Sequence, residues 1–267
     1  VRTKVRLAII LLLLLPVALA LVPVAALAQS EEEFGSYPFA DTIDELPEEL
    51  HPGQVYKGYP NWKMNEIHWA AIPTWMAGNW KATDTRIIKT FKHEDGTLRT
   101  IPTSVRNTTS AHFGDQVDSR GTIWMGLITP YVVNETIEGI NDAQDVIGMR
   151  PLDVQDGQVT VWQRIMHVVY DPNDNIIKDS YTEERVSELT LMRPGMMQAR
   201  ITYRNYNFNG ESSWTISAIR IMRLVSPFKP LATRLGVNIK NSLYAYFRNT
   251  GNQALIPGEA ATSSNEF

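Results

Sequence analysis

Apolar and polar side chains alternate along most of the chain after residue 75, and turn residues break that alternation at near-regular spacing. The segments between breaks span 80–92, 97–113, 122–129, 131–138, 158–170, 176–192, 196–208 and 214–224, and are rich in Val, Ile, Thr, Tyr and Trp. Such side chains suit a pleated surface, and period-two alternation gives each strand one inward face. Reversals are supplied by His93-Glu94-Asp95-Gly96, residues 118–121 and 171–175, Arg193-Pro194-Gly195 and Asn209-Gly210, where Gly and Asn tolerate positive φ. Strands joined by short turns pair antiparallel, so the pattern predicts an all-β fold, an up-and-down barrel of about eight strands. Pro102 edges one strand, Pro130 closes another, and the Gly- and Asp-containing stretch after 138 reads as a connection.

After Pro227 and Pro230 the period changes. Leu231, Leu235, Ile239, Leu243 and Phe247 recur every four residues, which places them on one face of a C-terminal helix of about four to five turns. That helix is expected to dock outside the barrel or across its mouth. Upstream, Tyr56, Tyr59, Trp62, Trp69 and Trp75 crowd a Pro-containing segment. It reads as coil with one short helix over 63–71 that packs on the barrel, or as an exposed aromatic patch for a partner or glycan.

The first residues bear on destination. Arg2, Lys4 and Arg6 precede an apolar run from Leu7 to Leu27, and Ala26 and Ala28 give it a small-residue end. These features predict a signal peptide over 1–28, cut before Gln29, and hence a periplasmic or extracellular protein without stable membrane insertion. A retained anchor is the rival, because the run can span a hydrocarbon core of about 30 Å. With no cysteine, neither N-terminal lipid attachment nor a disulfide is available, so stability falls to a large core.

Charge is uneven. The net value of -4 becomes -7 without the three basic groups of residues 1–28, and +1 once the eight acidic groups of 31–50 are set aside. Segment 29–55 therefore reads as an acidic, solvated, disordered linker, 56–248 as barrel plus helix, and 249–267 as a flexible tail. The near-neutral body argues against nucleic acid as a partner.

Gly78-Asn79-Trp80 opens the first barrel strand, and Gly-x-Trp at that position resembles the signature of lipocalin-like (calycin) barrels. The resemblance covers 63–248 in outline and implies a short helix, an eight-stranded meander and a C-terminal helix. It also implies that Trp80 sits at the closed end beneath an Arg of the last strand, Arg220 or Arg223. No counterpart of the lipocalin disulfide exists. A distant member and an unrelated barrel of the same shape both fit.

Strand parity suggests a site. Trp80 with Arg86, Trp162 with Arg164, and Trp214 with Arg220 each lie an even number of residues apart, so each pair shares a face. Facing inward, they would line a lumen suited to an apolar or amphipathic small molecule with an anionic end; facing outward, they are solvent residues. Histidines 51, 68, 93, 112 and 167 lack metal-pair spacing, and no Gly-x-Ser-x-Gly or phosphate loop occurs. His112 with Asp115, His167, and Glu183, Glu184 and Glu188 around Arg185 are the remaining polar candidates. The terminal Phe267 resembles the end of an outer-membrane barrel, but the preceding residues do not alternate. The reading is a ligand-binding, non-catalytic protein whose cofactor, if any, the sequence does not name. Its rivals are an envelope structural or adaptor protein using the aromatic segment, and an enzyme using the lumen.

Overall fold

The computed structural model describes residues 37, 39–59, 66–137 and 139–258. The expected signal peptide, the start of the acidic segment, Trp62 and the tail from 259 lie outside these residues. The chain is antiparallel β-sheet with one C-terminal helix. A nine-stranded sheet is built from β2 (Gly78–Lys92), β3 (Thr97–Arg99), β4 (Thr103–Phe113), β7 (Tyr131–Ile137), β8 (Ile140–Val154), β9 (Gln158–Tyr170), β10 (Ile177–Arg193), β11 (Met196–Asn207) and β12 (Ser212–Pro227). Hydrogen-bonded neighbours run β3-β2-β12-β11-β10-β9-β8-β7, and β4 shares with β3 the free edge of β2 because Pro102 divides the two. Among the described residues no pairing joins β4 to β7, so hydrogen bonding leaves a seam there. A small sheet of β1 (Glu66–Ile72), β6 (Ile123–Thr129) and β5 (Gln116–Val117) lies beside β8.

Five expectations are corrected. The described part of the helix expected over 63–71 is instead β1, which pairs with β6 along its length, from Glu66 opposite Thr129 to Ile72 opposite Ile123. Ladder bonding and Trp69 in the core outweigh the weak local helix signal. The stretch taken as a connection is the long strand β8. Its Gly148 marks a register shift and leaves room for the Trp162 ring, whose nearest atom would lie 3.0 Å from an added Cβ.

The period-four run is only half helix. β13 (Thr233–Arg234) and β14 (Val237–Asn238) form a hairpin turned by Leu235 and Gly236, both at positive φ. Asn238 then caps α1 (Ile239–Asn249), accepting from the Asn241 N–H. Ile239, Leu243 and Phe247 are fully buried against Trp69, Ile128 and Ile256, so the helix docks on the small sheet. This packing also orders the first part of the expected tail: Leu255 O accepts from the Ser119 N–H.

Residues 39–59, expected mostly as solvated linker, lie along the large sheet as an arm. Ile43 and Leu46 donate backbone N–H to Gly210 and Phe208, while Gly53 and Tyr56 donate to Ile177 and Asn175. Leu46 and Leu50 are buried in spite of the acidic neighbours. The five carboxylates of this arm, Asp41, Asp44, Glu45, Glu48 and Glu49, all face solvent, so the acidic composition and the docking are compatible.

Candidate functional site

One face of the large sheet surrounds a cavity of about 360 Å³. Its wall draws on β4, β7, β8, β9, β10, β11 and β12, with β1 and β6 closing part of one side. Toward the Trp80 end the lining is apolar, with Ile72, Met76, Met125, Leu189 and Met222. Further along the strands it turns polar: Gln163 on β9, Arg185 and Ser187 on β10, and Arg220 on β12.

Arg220 is the least compensated group in that wall. Its Nε donates to Thr85 Oγ1 at 2.8 Å, and among the described residues no carboxylate lies within ion-pair distance. Burial, and then the neighbouring Arg185 guanidinium, lower its pKa. Arg185 itself is held by Glu183, with Nε to Oε1 at 2.5 Å. Burial alone would lower the Arg185 pKa, but the Glu183 carboxylate raises it overall. Tyr203 faces the same group of side chains, and burial followed by Glu183 pushes its phenol up to about 12.

Beyond this belt lies a buried layer. His167 stacks on Tyr181 with ring centroids 4.4 Å apart. Its Nδ1 is 3.1 Å from an Asp142 oxygen, and its Nε2 is 4.0 Å from Glu183. His167 is 3% exposed and does not line the cavity, so it ties β8, β9 and β10 together. His112 does line the cavity, and its Nε2 is 3.5 Å from fully buried Asp115. That carboxylate also receives the Gly126 N–H at 2.7 Å and Arg234 at 2.9 Å, which clasps β4, β6 and the β13–β14 hairpin. Among the described residues no cluster of three His, Asp or Glu side chains suits a metal ion.

The six sequence candidates separate. Trp80 faces inward, 1% exposed, with Nε1 donating to Met76 O at 2.8 Å, but it packs in the core rather than lining the cavity. A register shift follows: Arg223 pairs with Lys81 and Ile219 with Arg86, so β2 carries one extra residue and Arg86 faces solvent. Trp162 and Arg164 share a face, but it is the outer one. There Arg164 bonds Glu184 at 2.6 Å and lies over the Trp162 ring, as does Arg150. Trp214 and Arg220 share the inner face, yet Trp214 sits at the strand end against Lys92 and only Arg220 reaches the cavity. Opposite Trp80 stands Leu224, in the place where the resemblance implied an arginine. Gly78 is required by crowding: an added Cβ would lie 2.7 Å from Ser226 O. Arg185 and Gln163 line the cavity but were not among the candidates. Odd numbering puts both on the face of Val161 and Leu189, a signal that pairing each Arg with a Trp obscured.

No family model, curated protein or solved structure matches this chain.

Proposed function

We propose that this chain is an exported, lipocalin-like carrier whose large sheet forms a barrel-like shell around a small apolar or amphipathic molecule with an anionic end. The observation that carries the reading is Arg220: a half-buried guanidinium in a mainly apolar cavity, hydrogen-bonded to a hydroxyl and, among the described residues, in direct ion-pair contact with no carboxylate. Such a group is costly to desolvate alone and is compensated when an anion arrives. Support for the shell is that strands from both margins of the sheet contribute to one cavity wall. The basic and apolar N-terminal run supports export, to the periplasm or the extracellular space. The adaptor reading has less support, because Tyr56 and Tyr59 pack on Tyr170 and against the β8 and β9 backbone, and Trp75 donates to Asp156 O.

Solvent extraction of purified protein followed by mass spectrometry should release an amphiphile with one acidic group. Dodecanoate should bind the wild type, and Arg220→Met should weaken it by roughly ten- to a hundredfold, the usual worth of a hydrogen bond to a charged group. Protein that releases nothing and does not bind dodecanoate removes the carrier reading.

A further inference from the structure

Resting on the carrier reading, a second question is how a ligand reaches the cavity. Among the described residues the strand ends are filled by side chains. At one end Met76 and Trp80 are each 1% exposed, and at the other Ile165, His167, Glu183 and Ala218 are buried on the inner faces of β9, β10 and β12, with partly buried Tyr203 of β11 among them. The cavity lies between these two plugs.

Exposure along the cavity wall is confined to one side. Of the residues that line it, those exposed to solvent are Ser110, Val133, Pro151 and Val154. Ser110 is on β4, the sheet margin beside β2, and Val133 is on β7, the opposite margin. Pro151 and Val154 lie on the part of β8 past Val146, where the β7 partner has ended at Tyr131. All four therefore sit on backbone edges without a β-ladder across the seam. Proline at such an edge removes one unpaired N–H, and the register shift at Pro151 turns the strand out of line, both of which discourage strand addition.

We infer that the β4–β7/β8 seam is the entrance of the cavity, so that a small amphiphile passes sideways between two unpaired strand edges. Among the described residues no ladder hydrogen bond crosses the seam, so opening it breaks none, whereas opening either end displaces buried side chains. The seam margins, Val133 and Ala111 among them, present apolar surface to the passing tail.

The cysteine-free chain allows a direct test, since each introduced thiol is the sole one. Thr108→Cys and Val132→Cys, exposed on the two seam strands but outside the cavity lining, and the strand-end control Asn209→Cys are labelled with a polyethylene glycol maleimide. Exchange of anilinonaphthalene sulfonate is then followed by stopped-flow fluorescence. Labels at 108 and 132 should slow association and dissociation together by about tenfold and leave Kd within about twofold, because a gate changes rates and not the bound state. The label at 209 should change neither rate. Unchanged rates with labels at 108 and 132, or slowing by the label at 209, overturn the seam as entrance while the carrier reading stands. Failure of the unlabelled wild type to bind the dye or dodecanoate removes both.

Discussion

The wall formed by β9, β10 and β11 carries nearly the same chemistry on its two faces, and the faces differ in what completes it. Outside, Glu184 accepts from Arg164 at 2.6 Å and from Tyr206 at 2.9 Å. The arm finishes that cluster: the Ala40 N–H donates to Glu184, and Ala40 O accepts from Arg204 and from Tyr206 at 2.7 Å. Inside, Glu183 holds Arg185 beside Tyr203, but the second guanidinium, Arg220, donates to a hydroxyl and among the described residues has no carboxylate within ion-pair distance. A buried ion pair whose spare donors are met by backbone is a fastening. One that leaves a guanidinium facing a cavity is a receptor for an anion.

The largest effect should come from breaking the fastening. Glu184→Leu strips Arg164, Tyr206 and the Ala40 N–H of their acceptor together in a site where Glu184 is 2% exposed, and should cost about 3 kcal/mol in urea unfolding. Arg220→Met, by contrast, should leave the urea midpoint unchanged or raise it, since no carboxylate is orphaned by the loss. Equal stability losses at the two positions would erase the distinction between the faces.

That distinction was only partly legible in the sequence. Alternation and turn residues gave the meander correctly from β9 to β12, where register is continuous over long stretches and period two holds. Parity failed where a strand gains a residue. One extra position in β2 turns Arg86 away from the face of Trp80, and nothing in the residues 81–86 announces it. Parity also says which residues share a face without saying which face is inside, so Trp162 and Arg164 were matched correctly and placed wrongly. The arm was missed for a different reason: acidic composition measures solvation of side chains, whereas docking here uses backbone groups and three or four apolar residues. Leu231 and Leu235 kept the helical period into a hairpin because a spacing of four carries no information about the Gly236 reversal.

A middle-sized effect tests whether the arm depends on the turn it crosses. Gly210 sits at positive φ, and an added Cβ would lie 2.0 Å from Ile43 O, so the arm must move aside for any side chain. Gly210→Ala should cost about 1–2 kcal/mol, combining strain at positive φ with loss of the Ile43 to Gly210 hydrogen bond. Limited proteolysis should then cut within 39–46 faster than in the wild type, with dodecanoate affinity unaltered because the inner face is untouched. Unchanged cleavage would mean the arm is held by the Glu184 cluster alone.

The smallest effect distinguishes the faces by titration. Burial and Glu183 raise the Tyr203 phenol to about 12, while Arg185 and Arg220 pull the other way. The folded chain therefore keeps this proton where the unfolded chain, with a phenol near 10, has lost it. The stability so gained is complete below about pH 10 and fades as pH climbs through about 12, and Tyr203→Phe should reduce that alkaline decline by on the order of 1 kcal/mol. An anion seated on Arg220 offsets one of the cations that lower this phenol. Dodecanoate should therefore move the Tyr203 titration further upward, read as the difference in tyrosinate absorbance between wild type and Tyr203→Phe. On the outer face Tyr206 is also raised, by burial first and then by Glu184, but its cations are Arg204 and Arg164. The same ligand should leave the Tyr206 signal in place, and a shift there instead of at Tyr203 would move the anion to the outer face.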